Sequence, residues 1–509
     1  MGDSARENRP SLRGATLMEI RLRPLMGFAG ILVAIAVFIG VVALLGGVVV
    51  GDSSATLYST WAIEHGQFAC AYAPFTHLAQ IPLIARPDTN ITPFYPLVSG
   101  AIAALAGLGH QYPLSSASLG PNCSHAYLSI FHWSVSSGVA IRTLQIGYFA
   151  GVVLLFGADL LLRASGRGRR LVEPVTLVVI ATLAPVLAAL VQYFHPQDLM
   201  AMGLALGGVA AVLRERWLLA GVLIGLAVVT QQYTLLILAA AFFVVPSRGR
   251  WRFSIAVVLA VVLIDVPFLI ASSGRAIHAI VNGSAPSFGG TVLWELHVPA
   301  FPLFLLARIL PIAIAAILGW YVHRRSGDQT LDPIMMVSLI GTAVGVRLVF
   351  EVNLWGYYFM ALAVSLVLLE AVRGHVRVYV VGWILALTMA FDPIPGVLQS
   401  NVRASDIYAQ LDLAKIVVGA VALYVLVSLV RRRVRWFWIG WVIVCALAFV
   451  HIPGIDVLQH HPWPRWLWQI LFVPSGLVLV AQPLAAAMRA SRRSTAYAVE
   501  PVPEAPVAP

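Results

Sequence analysis

Lysine occurs once in the 509 residues, at Lys415, and all charged residues together make up 11% of the chain. A soluble domain carries about 25% charged residues, so this chain cannot solvate the surface of a water-soluble globule of its length. Cysteine is nearly as scarce. Cys70, Cys123 and Cys445 are the full complement, and no Cys/His group has zinc-ligand spacing. There is no glycine-rich phosphate loop and no defensible serine–histidine–aspartate set. Nucleotide-dependent and zinc-dependent chemistry therefore have no residues to carry them, and neither metal nor cofactor is expected.

Apolar sequence is what the chain has in quantity: 60% hydrophobic residues and a mean hydropathy of +0.87. Residues 26–50 run for 25 positions without a charge, and about 20 apolar residues cross a hydrocarbon core of ~30 Å. That run is too long for a signal-peptide core, and no small-residue cleavage site leads into soluble sequence. The net charge of +11 comes mostly from arginines grouped between apolar runs. This is the pattern that orients membrane proteins, not a nucleic-acid patch, and no nucleic-acid partner is expected.

Placing every arginine cluster on the cytoplasmic side predicts one self-consistent path. Residues 1–25 form a basic cytoplasmic tail, 26–491 a multi-spanning membrane domain, and 492–509 a Pro/Ala-rich cytoplasmic tail expected to be disordered. Spans are expected at 26–50, 143–162, 172–193, 198–213, 253–271, 302–321, 332–351, 358–372, 378–390, 416–430, 436–452 and 467–487. The stretch 217–246 has basic flanks at both ends, which requires an even number of crossings and predicts two short helices meeting near Gln231–Tyr233. The fold class is thus an all-α polytopic bundle of about twelve to fourteen helices in the cell (inner or plasma) membrane. Residues 51–142 form a long extracytoplasmic loop in which 76–85 and 96–109 read as short interfacial helices.

Candidate functional residues gather on the outer side of this path. Asp52 stands at the outer end of the first span, followed in one loop by Tyr58, Trp61, Glu64, His65 and Tyr72. Aromatic faces beside a carboxylate suit a sugar, whose C–H faces stack and whose hydroxyls hydrogen-bond; a helix end pointing into water is the plainer reading of Asp52. His195, Gln197 and Asp198 lie in an outer turn, where Asp198 either caps the next helix or meets a ligand. Gln232 and Tyr233 face the same side and need a polar partner, whether substrate or another helix. Arg347 lies in the outer third of its span with Glu351 four residues on, which is either an internal salt bridge or a phosphate clamp. Trp355, Tyr357 and Tyr358 follow, and they belong either to an interfacial aromatic belt or to a pocket. Cys70 and Cys123 share the first outer loop, where a disulfide is chemically permitted.

Taken together, Asp52 after the first span, then Tyr58, Trp61, Gly66-Gln67 and Tyr72, resemble the start of GT-C superfamily glycosyltransferases. The segment TPFYPLVSGAIAAL at 92–105, which contains Tyr95, is similar to a Tyr-Pro-Leu segment of that family, and FHPQD at 194–198 to its HPD-like turn. The layout is nearest to bacterial polyprenyl-phosphate-sugar-dependent mannosyl- and arabinosyltransferase-like proteins, over about residues 26–360. Ser53 stands where many members have a second acidic residue. The resemblance implies Asp52 as catalytic base and a polyprenyl-phosphate sugar as donor. It also implies a glycan, glycolipid or protein hydroxyl as acceptor; the chemistry of Arg347 or His195 would then place one of them at the donor phosphate. The other reading of the chain is a transporter or lipid-linked-sugar flippase, for which Asp265 beside Pro267, inside an expected span, is the best feature.

Overall fold

Apolar runs bounded by arginine loops, with no alternating strand pattern, should build helices only, since helices satisfy their own backbone polar groups in lipid. The computed structural model describes residues 17–45, 51–64, 66–67, 92–106, 146–166, 172–272, 291–299, 302–303, 305–352, 354–390 and 465–497, and these residues contain no strand. The helices are α1 (Leu17–Leu45), α2 (Gly51–Glu64), α3 (Phe94–Leu105), α4 (Phe149–Ala164), α5 (Val172–Thr182), α6 (Ala184–Leu187), α7 (Pro196–Leu213) and α8 (Trp217–Val228). They continue as α9 (Leu235–Val244), α10 (Ser247–Ala271), α11 (Val292–Glu295), α12 (Leu310–Ser326), α13 (Pro333–Val349), α14 (Met360–Arg373), α15 (Val378–Ala390) and α16 (Arg465–Tyr497).

Six stretches among the described residues are long and apolar enough to cross a membrane, or seven if α5 and its continuation, bent by 51° at Leu183, count as one. Shorter apolar helices, including α8, α9 and α13, pack among them. The protein is a polytopic α-helical membrane protein. The expected spans 416–430 and 436–452 lie outside the described residues. The two short helices expected in 217–246 are α8 and α9, meeting at a tight turn over Gln232–Thr234. Two boundaries differ from expectation. Helix α1 begins at Leu17, inside the expected tail, and α16 runs to Tyr497, six residues into the segment expected to be disordered. Helix ends follow local backbone hydrogen bonding, and arginines are good helix formers, so charge alone does not stop them.

Burial sorts the helices into centre and rim. In Pro196–Leu213 and Gly356–Arg373, 89% of the residues are buried, whereas in the 18-residue apolar stretch of Ser247–Ala271 28% are, and that helix turns Val258, Leu259, Leu263 and Ile270 outward. Apolar side chains gain nothing by leaving lipid for each other, so central helices rely on close van der Waals fit. Gly157 of α4 and Gly203 of α7 meet backbone to backbone: a β-carbon on Gly157 would overlap the Gly203 carbonyl oxygen. Gly221 of α8 lies in the same way against the Phe253 carbonyl of α10.

Helix directions put the basic loops at one end of the bundle. Helices α4 and α7 run parallel, since Gly203 meets Val153 and Gly207 meets Leu160, so Arg163 and Arg214 share an end. Glu215 there pairs with Arg248 and accepts from Thr330, while Asp328 accepts from the Ser247 backbone N–H and hydroxyl. The opposite end carries the turn at 193–198, the turn at 231–234, Glu351 and the stretch from Leu354 to Phe359.

Candidate functional site

Three backbone departures in succession deliver His195. The helical path breaks at Leu183 ahead of Pro185, widens into a π-helical turn over Ala188–Gln192, and ends with Phe194 at φ 53°. A π turn and a non-glycine residue in the left-handed region each cost free energy, and such features concentrate where position matters more than stability. Pro196 then opens α7 as its first residue, with His195 as N-cap. This corrects the capping role considered for Asp198. Proline has no N–H and a preset φ, so it takes the first helical position and moves Asp198 to the third, inside the first turn.

The His195 ring is bonded on both nitrogens. Gln197 Nε2 lies 3.1 Å from Nδ1 and the Tyr357 hydroxyl 3.2 Å from Nε2. If the Gln197 amide donates, Nδ1 accepts and the Nε2–H points at the Tyr357 oxygen. The rings of His195 and Tyr357 also stack, with centroids 4.4 Å apart. Tyr193 packs on Trp355 and Tyr357, and Tyr357 meets Tyr358 edge-on. The Asp198 carboxylate Oδ2 lies 3.7 Å from His195 Nδ1, and the Tyr233 hydroxyl donates to the Asp198 carbonyl at 2.9 Å.

Arg347 reaches this cluster from the last turn of α13. Its Nε donates to Glu351 Oε2 at 2.7 Å, and its guanidinium lies 4.9 Å from the Tyr358 ring centroid and 5.7 Å from that of Tyr233. Glu351 thus engages one of the three guanidinium nitrogens. The two terminal nitrogens have no hydrogen-bond acceptor among the described residues, and the side chain retains 20% exposure, along a narrow crevice. Asp198, Tyr233, Arg347, Tyr357 and Tyr358 form the crevice's polar walls, with Val344, Leu348, Met360 and Ala361 apolar beside them. Gln469 of α16 steadies the support by donating to the carbonyls of Leu348, Val349 and Glu351.

Residues 92–105 approach the same end through α3. Thr92 donates to the Thr230 carbonyl, Phe94 N–H bonds the Val229 carbonyl, and Thr60 of α2 hydrogen-bonds Ser99 of α3 at 3.0 Å. Tyr95 is buried against Phe149, with its hydroxyl beside Gly147 and Phe194. Tyr58 and Trp61 stack on each other, buried, and do not line the crevice. Burial pushes the Tyr58 phenol above its ordinary range, so it stays neutral.

Of the residues expected from the sequence, the structure therefore brings His195, Gln197, Asp198, Tyr233, Arg347, Trp355, Tyr357 and Tyr358 into one cluster. Gln232 lies on the adjoining turn, and its side-chain Nε2 is buried without a hydrogen-bond acceptor among the described residues. Asp52 is the second residue of α2 and Glu64 its last, and His65, Cys70 and Cys123 lie outside the described residues. Tyr193 and Gln469 were not anticipated. Gln469 had a signal, as a lone amide in an apolar run; Tyr193 had none apart from standing two residues before His195. No protein-family model, curated protein or solved structure matches the chain.

Proposed function

We propose that this polytopic membrane protein is an inverting glycosyltransferase of the GT-C type. It moves a mannose- or arabinose-like sugar from a polyprenyl-phosphate donor to a glycan, glycolipid or protein hydroxyl on the extracytoplasmic face, with both termini cytoplasmic. The observation that carries this reading is Arg347: a guanidinium whose terminal nitrogens open onto an aromatic-walled crevice at the end of the bundle opposite the basic loops. Guanidinium geometry matches phosphate oxygens two at a time, and aromatic faces suit a sugar ring or a prenyl tail. His195, through Tyr357, supports the same wall.

In this mechanism Asp52 takes the proton of the acceptor hydroxyl as its oxygen attacks the anomeric carbon. The bond from that carbon to the phosphate oxygen breaks on the opposite face, and Arg347 holds the departing phosphate. The experiment is transfer of a labelled sugar from polyprenyl-phosphate donors in proteoliposomes, wild type beside Asp52→Asn. Asparagine keeps the size of aspartate but cannot take the proton. We expect transfer by the wild type and a loss of about 100-fold or more in a folded variant; equal transfer by both removes Asp52 from the mechanism.

One observation favours a transporter instead. Asp265, two residues before Pro267 inside α10, has a buried carboxylate oxygen with no hydrogen-bond partner among the described residues. That reading requires Asp265→Asn to abolish substrate movement across the bilayer while Asp52→Asn leaves it intact.

A further inference from the structure

The carboxylates at the basic end of the bundle are spent on holding it together, and most of the arginines there are not. Three segments meet at this end: the α7–α8 turn, the start of α10, and the stretch from the end of α12 to the start of α13. Glu215 of the first ties Arg248 of the second and Thr330 of the third. Asp328 of the third ties Ser247 of the second and lies in the field of Arg250 and His323. Asp332 caps α13 by accepting from the Ile334 N–H. Beside these three carboxylates the same segments carry seven arginines. Arg248 is paired, and Arg250 lies over the Phe242 ring and donates to the Phe243 and Val245 carbonyls. Arg214, Arg216, Arg252, Arg324 and Arg325 are exposed and make no ion pair among the described residues.

These cations form one patch. The Asp328–Ser247 bonds join α10 to the loop after α12, and Arg324 and Arg252 stand four and five residues from the two tied residues. Deeper along both helices the side chains turn aromatic and then aliphatic. Trp251 is 72% exposed, ~6 Å along α10 from Ser247. Trp320 is 45% exposed, ~9 Å before the end of α12, with the Arg324 guanidinium 5.5 Å from its ring centroid. Leu259 and Leu263 on α10 and Ile317 on α12 face outward beyond them. Guanidinium, indole and aliphatic side chain in that order match the phosphate, glycerol-ester and acyl levels of one bilayer lipid.

We propose that this end of the bundle binds an anionic glycerophospholipid of its own leaflet. Its phosphate lies against Arg252 and Arg324 and its acyl chains against the outward faces of α10 and α12. Each basic side chain close to an anionic lipid surface strengthens binding about fivefold. A zwitterionic lipid also brings a phosphate, but its ammonium adds a positive charge that the unpaired arginines repel. A free phosphate ion gains nothing from Trp251, Trp320 or the aliphatic faces. The inference is independent of the glycosyl-transfer reading, which concerns the opposite end of the molecule.

The test uses the full chain in neutral-detergent micelles and two tail-labelled lipids with the same acyl chains, phosphatidylglycerol and phosphatidylcholine, with binding followed by fluorescence anisotropy. The wild type should bind phosphatidylglycerol at least about tenfold more tightly than phosphatidylcholine. Arg252→Gln and Arg324→Gln should each weaken phosphatidylglycerol about fivefold and leave phosphatidylcholine binding and the melting temperature close to wild type. Arg489→Gln removes an exposed arginine of α16 outside the three segments, and both lipids should bind it as they bind the wild type. Equal affinity of the wild type for the two lipids overturns the proposal. So does a loss in Arg489→Gln as large as in Arg252→Gln, which assigns the attraction to the net charge of the chain. Inorganic phosphate separates the sources. If it displaces phosphatidylglycerol where chloride at the same ionic strength does not, the patch belongs to a free phosphate ion and the lipid is overturned; equal effects of the two salts support the lipid.

Discussion

Two glutamate–arginine contacts at opposite ends of this bundle have similar pair geometry and different surroundings. At the basic end, Glu370 is 3% exposed and takes Arg377 through both the backbone N–H and the guanidinium, with Arg373 at 3.7 Å. Arg377 also donates to Gln482 of α16. At the crevice end, Glu351 takes only the Nε of Arg347, and the rest of that guanidinium lies between tyrosine rings at a narrow crevice. Charges that spend their hydrogen bonds on neighbouring helices fasten the structure. A charge that leaves donors unused beside a crevice is available to a ligand. Composition alone makes the two look alike, a glutamate within one or two helical turns of an arginine, and the difference lies in what the further neighbours supply.

The sharpest way to break this comparison is at Glu370. Glu370→Ala strands two arginines in a nearly buried position, and removal of one partner from a buried pair costs about 3 kcal/mol or more. Thermal unfolding in detergent should therefore drop by several degrees, while transfer per folded molecule stays close to wild type. Tyr357→Phe probes the other end. It removes one hydroxyl from the crevice wall and the partner of His195 Nε2, and should lower kcat/KM for sugar transfer by about tenfold, the worth of one hydrogen bond, with a smaller effect on melting. If Tyr357→Phe is as destabilising as Glu370→Ala with no separate loss of transfer, the two ends do not differ as described.

The smallest effect is expected at Asp328, in the loop between α12 and α13. It accepts from the Ser247 backbone N–H and hydroxyl at the start of α10, and those bonds hold its carboxyl below the ordinary range. A group whose pKa is lowered by folding stabilises the fold above its unfolded pKa, and the contribution disappears as pH falls through the folded value. Asp328→Asn should thus lower the melting temperature slightly at neutral pH, and the gap to wild type should close below about pH 4. A gap that persists in acid assigns the effect to side-chain packing.

Much of the architecture was legible because lipid allows so few solutions. Arginine loops at 163–170, 214–216, 248–252, 324–325 and 373–377 set the direction of each crossing, and the basic flanks of 217–246 required the paired helices α8 and α9. His195, Arg347 and Tyr357 could be nominated individually, since an ionisable or aromatic residue at a membrane boundary needs an explanation. Their meeting could not be read. Tyr357 lies 162 residues from the histidine it touches, and no local period encodes that distance. Of the two readings of Asp198, the cap is set aside for a local reason, because Pro196 takes the first helical position and shifts the cap to His195.

What the sequence determined by itself is therefore the class: a helical, many-spanning membrane protein with its basic loops segregated. Desolvation of the backbone and the charge asymmetry of the loops leave no other arrangement for a chain this apolar. Only the tertiary structure decided which polar residues are fastenings and which are open. Whether an arginine is satisfied depends on acceptors delivered by helices far apart in the chain. Arg377 meets Gln482 and Glu370, while Arg347 meets one glutamate and two aromatic faces and keeps the rest of its donors for the crevice.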